Sequence, residues 1–264
     1  MDARPRWFRN PRAAKVPEIT VLFWVVKVLT TGMGEAAADY FALRNLVLAA
    51  AVGLVGFVVA MAVQLRARRY RPWAYWFAVS MVAVFGTMVA DALHVVVGVP
   101  YPVTTAAYAV ALALIFVVWQ RVEGTLSIHS ITTRRREAFY WLAVLATFAL
   151  GTAAGDLTAI SLHLGYLASG LLFAVAILVP LAGWRLGADP VLMFWCAYVL
   201  TRPLGASFAD WIGKPHPAGL GLGDGVVAAG ATVVIAVLVA YLARSGHGVQ
   251  TPDRSQNPAA WSRR

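Results

Sequence analysis

Apolar residues dominate eight stretches of the chain, at about 18–41, 45–65, 73–94, 102–121, 138–157, 160–183, 190–211 and 224–243. Each is near the ~20 residues that cross a bilayer core as a helix, and polar residues gather between them. The pattern predicts an all-α integral membrane protein with eight transmembrane helices. The pairs joined around Tyr40 to Arg44 and Leu157 to Leu162 leave room only for tight hairpins.

Within the odd-numbered stretches, each tryptophan is followed by a glycine ten residues on and an aspartate fifteen residues on. The four sets are Trp24, Gly34, Asp39; Trp76, Gly86, Asp91; Trp141, Gly151, Asp156; and Trp195, Gly205, Asp210. Four gapless matches divide the chain into four tandem two-helix repeats. The domain organisation then reads as a basic N-terminus over 1–17, repeats one and two over 18–122, and a linker over 123–137. Repeats three and four follow over 138–243, and a disordered tail over 244–264 is too polar to pack. The longest spacing between tryptophans contains the linker, which suggests two four-helix halves related by an axis along the membrane normal.

Lysine and arginine set the expected orientation. Eighteen of the 22 basic residues fall in the N-terminus, the 66–72 turn, the 119–137 loop, Arg185 and the tail, against Arg44 and Lys214 on the opposite side. The positive-inside rule places both termini, the linker and the tail in the cytoplasm, and all four aspartates toward the extracytoplasmic side. No small-residue cleavage signal follows the first apolar run, so that run reads as a retained span.

Composition agrees with this picture. Hydrophobic residues make up 60% of the 264 positions and charged residues 13%, whereas soluble domains carry about twice that share of charge. The net charge of +10 sits in short clusters beside apolar runs, where lipid head groups explain it better than nucleic acid does. Cys196 is the only cysteine, which excludes an intrachain disulfide and a cysteine-ligated metal.

The residues that stand out chemically lie on one helical stripe. Lys27, Thr31, Glu35 and Asp39 recur four apart, and the equivalent stripes are Val79, Ala83, Thr87, Asp91; Val144, Phe148, Thr152, Asp156; and Tyr198, Arg202, Ala206, Asp210. Each aspartate either caps a hairpin turn in the head-group layer or belongs to an acidic site. Glu35, Thr87 and Thr152, one turn deeper, favour oxygen ligation of a hard cation or a proton-accepting cluster by Glu35, Asp39, Asp91, Asp156 and Asp210. Lys27 and Arg202 need acid partners from other repeats, or water; Lys27 could instead snorkel to the interface, and Arg202 could satisfy the carbonyl freed by Pro203. His94 and His163 fall near the aspartate level and are candidates for proton coupling. Gly34, Gly86, Gly151 and Gly205 lie about 140° from the aspartates on the helical wheel and suit close helix packing. Trp24, Trp76, Trp141 and Trp195 read as interfacial anchors.

These residues carry a resemblance. The segment Lys15-Val16-Pro17-Glu18-Ile19-Thr20, then Phe23-Trp24, Lys27, Thr30, Gly34-Glu35 and Asp39, are echoed by Phe194-Trp195, Thr201, Gly205 and Asp210. Together they resemble the bacterial multi-pass membrane proteins built from four tandem two-span repeats, each with a tryptophan, described only as uncharacterised membrane-anchored proteins. The resemblance implies a bacterial inner-membrane location and the repeat count, and no activity. Val82 stands where the other repeats have Thr30, Thr147 and Thr201, which argues against a threonine role common to all four.

The reading that follows is a small secondary transporter or exporter of a cation, most readily a divalent metal ion. Its partners would be membrane lipids and the transported ion, with a homo-oligomer left open. No nucleophile and base stand at useful spacing, no nucleotide motif is present, and no cofactor is expected, so enzyme activity is not. The rival is a sensor or assembly module whose repeats serve packing alone.

Overall fold

The computed structural model describes residues 14–250. The arginines before Ala14, and residues 251–264 of the expected tail, lie outside that range. Among the described residues the structure is helical throughout, with no strand. In chain order the helices are α1 (Val21–Ala42), α2 (Leu46–Arg66), α3 (Pro72–Asp91), α4 (Tyr101–Glu123), α5 (Arg134–Asp156), α6 (Gly165–Ala176), α7 (Leu178–Arg185), α8 (Pro190–Gly213) and α9 (Asp224–Ser245). With α6 and α7 forming one rod, eight helices are long and apolar enough to span a membrane.

The helix ends follow from local chemistry. Thr20, Asn45, Thr133 and Asp189 each accept a hydrogen bond from the backbone N–H three residues on, capping α1, α2, α5 and α8. α4 and α9 stop at Gly124 and Gly246, both in the left-handed region that a side chain disfavours. The break between α6 and α7 has its cause in Pro180, which has no N–H to offer the carbonyl of Ala176. α3 and α5 run on beyond their aspartates as single π-helical segments, Ala92–Val96 and Leu157–Ser161. The sharp hairpin expected at Leu157 to Leu162 is therefore helical to Ser161, and the chain turns after it, with His163 at φ 56°.

Four helices, α1, α3, α5 and α8, form an inner ring: α1 packs on α3 and α8, and α5 on α3 and α8. These are the first helices of the four repeats. The second helix of each repeat packs on the first helix of the next: α2 on α3, α4 on α5, α6 on α8, and α9 back on α1. Such head-to-tail contact closes into a ring because the rotation per repeat returns to its start after four units. The four repeats form one continuous ring, in which the α3·α5 contact across the linker is of the same kind as α1·α3 and α5·α8. The outer helices expose Val47, Val55, Val58, Val110, Val179 and Val233, a surface that suits lipid and would be costly in water.

Each repeat glycine sits where the ring helices touch. A side chain on Gly34 would strike Ala83, on Gly86 Phe148, on Gly151 Arg202 and Pro203, and on Gly205 Thr31 and Val28. Every contact runs from one repeat to the next, between equivalent positions, and glycine lets the backbones approach.

The tryptophan layer corrects the interfacial reading. Trp76, Trp141 and Trp195 are buried, and Trp24 is half-buried. The residue before each tryptophan is also aromatic and buried: Phe23, Tyr75, Tyr140 and Phe194. Phe23 packs on Trp76 at 5.7 Å between ring centroids, Tyr75 on Trp141 at 5.7 Å, Tyr140 on Trp195 at 6.1 Å and Phe194 on Trp24 at 5.6 Å. Eight rings thereby fill the end of the ring opposite the aspartates, because burying aromatic surface in mutual edge contacts outweighs leaving it at a lipid boundary.

The segment before α1 lies against that same end. Tyr70 N donates to Ala14 O, Lys15 N to Ile131 O and Glu18 N to Gly248 O. Lys15 Nζ lies 2.5 Å from Glu137 Oε2, and Gln64 Nε2 donates to Glu137 Oε1 at 3.1 Å, all three side chains being buried. Lys15 of the basic N-terminus and Glu137 at the end of the expected linker thus make an enclosed ion pair. The 124–133 connection is likewise packed, with Ile128 and Ile131 buried.

Candidate functional site

The four-residue stripe of each inner helix turns toward the other three, which stacks the chemically distinctive side chains in layers. Next to the aromatic end comes Lys27, 0% exposed, its Nζ 4.2 Å from the ring centroids of both Phe148 and Tyr198. Nζ has no hydrogen-bond acceptor. The acid partner expected for Lys27 is therefore absent among the described residues, and snorkelling is excluded by its complete burial. Two aromatic faces supply the attraction instead.

Arg202 occupies the next layer and reaches every other repeat. Its Nη2 lies 2.5 Å from Glu35 Oε2 and 2.7 Å from Thr152 Oγ1 and also donates to Thr87 Oγ1, while Nη1 donates to the Thr31 carbonyl at 3.1 Å. In a ring of four helices a side chain touching the other three occupies the centre. The guanidinium is 0% exposed; desolvating it costs several kcal/mol, about what a close carboxylate and three further oxygens can offset. The expectation that Arg202 serves the carbonyl freed by Pro203 is corrected: the carbonyl it holds belongs to Thr31 on α1. Thr87 Oγ1 also lies 3.2 Å from Glu35 Oε2, so Glu35, Thr87 and Thr152 form one layer around the guanidinium. Ala206, the fourth member by position, is small beside them.

The threonines one residue before the arginine position act locally. Thr30, Thr147 and Thr201 each donate to the carbonyl three residues back, of Lys27, Val144 and Tyr198. Val82 needs no such bond.

The aspartates complete the stack. Glu35, Asp39 and Asp210 each offer an oxygen within 4.8 Å of the others. Lys214, just beyond the end of α8, pairs with Asp39, approaches Asp224 Oδ2 at 3.5 Å and lies 3.8 Å from Asp210 Oδ1. Asp210 is 5% exposed and its Oδ1 has no hydrogen-bond donor. Asp91 and Asp156 stand outside this trio and carry neither a basic partner nor a side-chain hydrogen bond among the described residues, though the fields of Glu35 and Asp39 reach both. Burial opposes the charge on Lys214, but Asp39, Asp210 and Asp224 outweigh it and hold its pKa above that of an ordinary lysine.

The histidines are placed elsewhere. His94 bonds through Nδ1 to the Val99 carbonyl at 2.9 Å and stacks on Tyr101 at 3.7 Å between ring centroids, and His163 is exposed. Neither belongs to the carboxylate trio.

Chemically, three carboxylates with converging oxygens can hold a hard cation such as Mg²⁺ or Ca²⁺. Lys214 and Asp224 belong to that arrangement and were not singled out from sequence. A lysine four residues after Asp210, and an aspartate opening the last span, were the available signals. The aromatic residue before every tryptophan was equally legible.

The family described as Repeat of Unknown Function (DUF347) matches this chain four times, at residues 22–70, 74–125, 139–186 and 193–247. The chain belongs to that family. No curated protein and no solved structure matches it. The matched segments each hold one inner helix and one outer helix, as the repeat pattern requires.

Proposed function

We propose that this multi-pass member of the DUF347 repeat family moves a small cation, most readily a divalent one, across a bacterial inner membrane. The observation that carries the reading is the charge at one end of the ring. Glu35, Asp39, Asp91, Asp156, Asp210 and Asp224 gather there, with Lys214 and the centrally placed Arg202 as the basic groups among them. Carboxylates held in or near a hydrocarbon layer without partners are costly, and a bound cation or protons remove the cost. The basic asymmetry of the sequence puts this end on the extracytoplasmic side and both termini in the cytoplasm. Arg202 joins the carboxylate end to the interior through Glu35, so proton or ion binding at Glu35 would loosen the guanidinium and open the axis. Arg202 acts as the internal countercharge to Glu35, and the driving force is a proton gradient or the membrane potential.

A second reading draws on a different observation. The axis is filled from Arg202 through Lys27 to the eight aromatic rings, which suits a module that only packs and recruits. Reconstituted liposomes decide between them: Mn²⁺ influx in wild-type vesicles, lost in Asp210→Asn and Asp39→Asn, supports transport. Vesicles as tight as protein-free ones leave the packing module as the better reading.

A further inference from the structure

We infer that Lys214 is a tethered competitor for the cation site, its ammonium standing between Asp39, Asp210 and Asp224 where a divalent ion binds, and that the ion displaces it. This rests on the cation reading above and adds what the site selects for.

The first support is the incomplete seat. An ammonium has three N–H donors, yet Nζ makes one close pair, with Asp39, and lies 3.5 Å and 3.8 Å from Asp224 and Asp210. Asp210 Oδ1 stays buried with no donor, while Glu35, Asp39 and Asp210 converge to within 4.8 Å. The oxygens are thus arranged for a smaller ion of higher charge, and the lysine only partly satisfies them.

Mobility is the second. The connection after α8 folds back onto the helix end: Leu220 N donates to Trp211 O, Gly221 N to Lys214 O, Leu222 N to Ile212 O and Gly223 N to Gly213 O. The backbone is therefore pinned. The side chain is free to move by itself, since it is 21% exposed and carries its charge on a flexible four-carbon stem. It can swing into water without disturbing a backbone hydrogen bond.

Selectivity follows from charge. A monovalent ion replacing the ammonium exchanges like for like, whereas a divalent ion adds one positive charge among three or more carboxylates. Ion concentration and valence therefore relieve the competition.

The test uses the full chain in detergent, with Mn²⁺ binding followed by loss of its free-ion EPR signal, for wild type, Lys214→Gln, Lys214→Arg and Asp210→Asn. Lys214→Gln should bind at least about tenfold tighter than wild type, equivalent to about 1.4 kcal/mol, and Na⁺ should begin to compete. Lys214→Arg should stay near wild type and Asp210→Asn should bind more weakly. A second measurement needs no variant. The chain has three lysines, of which Lys15 and Lys27 are buried, so amine acylation read by mass spectrometry on the peptide that contains Lys214 reports that side chain, and Mn²⁺ should accelerate it. Binding in Lys214→Gln no tighter than wild type, or acylation unchanged while Mn²⁺ binds, overturns the competitor and leaves the site standing. Absence of Mn²⁺ binding in both wild type and Lys214→Gln removes the site and the competitor together.

Discussion

Gly205 in the fourth repeat lies directly against Thr31 in the first, and the same two repeat positions meet in Gly34 with Ala83, Gly86 with Phe148 and Gly151 with Arg202. A methyl group on Gly205 would sit 2.8 Å from the Val28 carbonyl, a rigid backbone atom that cannot give way. Gly205→Ala and Gly34→Ala should each destabilise by about 1–3 kcal/mol. Gly230 on α9 has open space around it, so Gly230→Ala should be neutral or stabilise by up to about 1 kcal/mol. Melting temperatures of the three purified variants check the contrast. Equal stability in all three would dismantle the ring contact.

The Arg202 guanidinium and Glu35 form a fully enclosed pair, so removing one partner strands the other. Arg202→Met should cost about 3–5 kcal/mol, or roughly 10 °C in melting temperature for a chain of this size. Adding Glu35→Gln should recover part of the loss, because the neutral amide needs no countercharge. A double variant no better than the single one would mean that Arg202 acts through packing against Gly151 and not through charge.

At the aromatic end, Glu137→Gln leaves Lys15 buried without a countercharge, and the segment from Ala14 to Thr20 should detach from the ring. Limited proteolysis should then cut there at least several-fold faster than in wild type, and Lys15→Met with Glu137→Gln should restore resistance. Unchanged cleavage in Glu137→Gln would show that the backbone bonds to Ile131 and Gly248 suffice.

The carboxylates around Lys214 raise its pKa in the folded state. A lysine raised on folding contributes stability that is complete below its unfolded pKa, about 10.4, and is lost as pH climbs through the folded value. The stability difference between wild type and Lys214→Gln should therefore be flat from pH 7 to about pH 10 and should shrink only at higher pH. Denaturant titrations across that range check it. A difference that already shrinks between pH 7 and 9 would mean that the carboxylates do not hold the ammonium.

What the sequence determined by itself was everything that a short segment or a fixed period encodes. Eight apolar runs gave eight spans, because a helix in lipid must satisfy its own backbone and needs only length and hydropathy to do so. The Trp-Gly-Asp spacing gave four repeats and put Lys27, Glu35, Asp39, Arg202 and their counterparts on equivalent helical faces. The tertiary structure decided what those faces meet. Whether Trp141 anchors at lipid or packs under Tyr75 depends on which helix is its neighbour, and no local pattern fixes that. The partner of Arg202 was undecidable for the same reason: Glu35 is 167 residues away in sequence, and only closure of the ring by α8 against α1 brings them together. Lys27 shows the limit most plainly, since a lysine that rests on Phe148 and Tyr198 with no acid nearby has the same sequence signature as one that snorkels. Periodicity fixes the direction of a side chain within its own helix, and the order in which helices surround an axis fixes what it touches there.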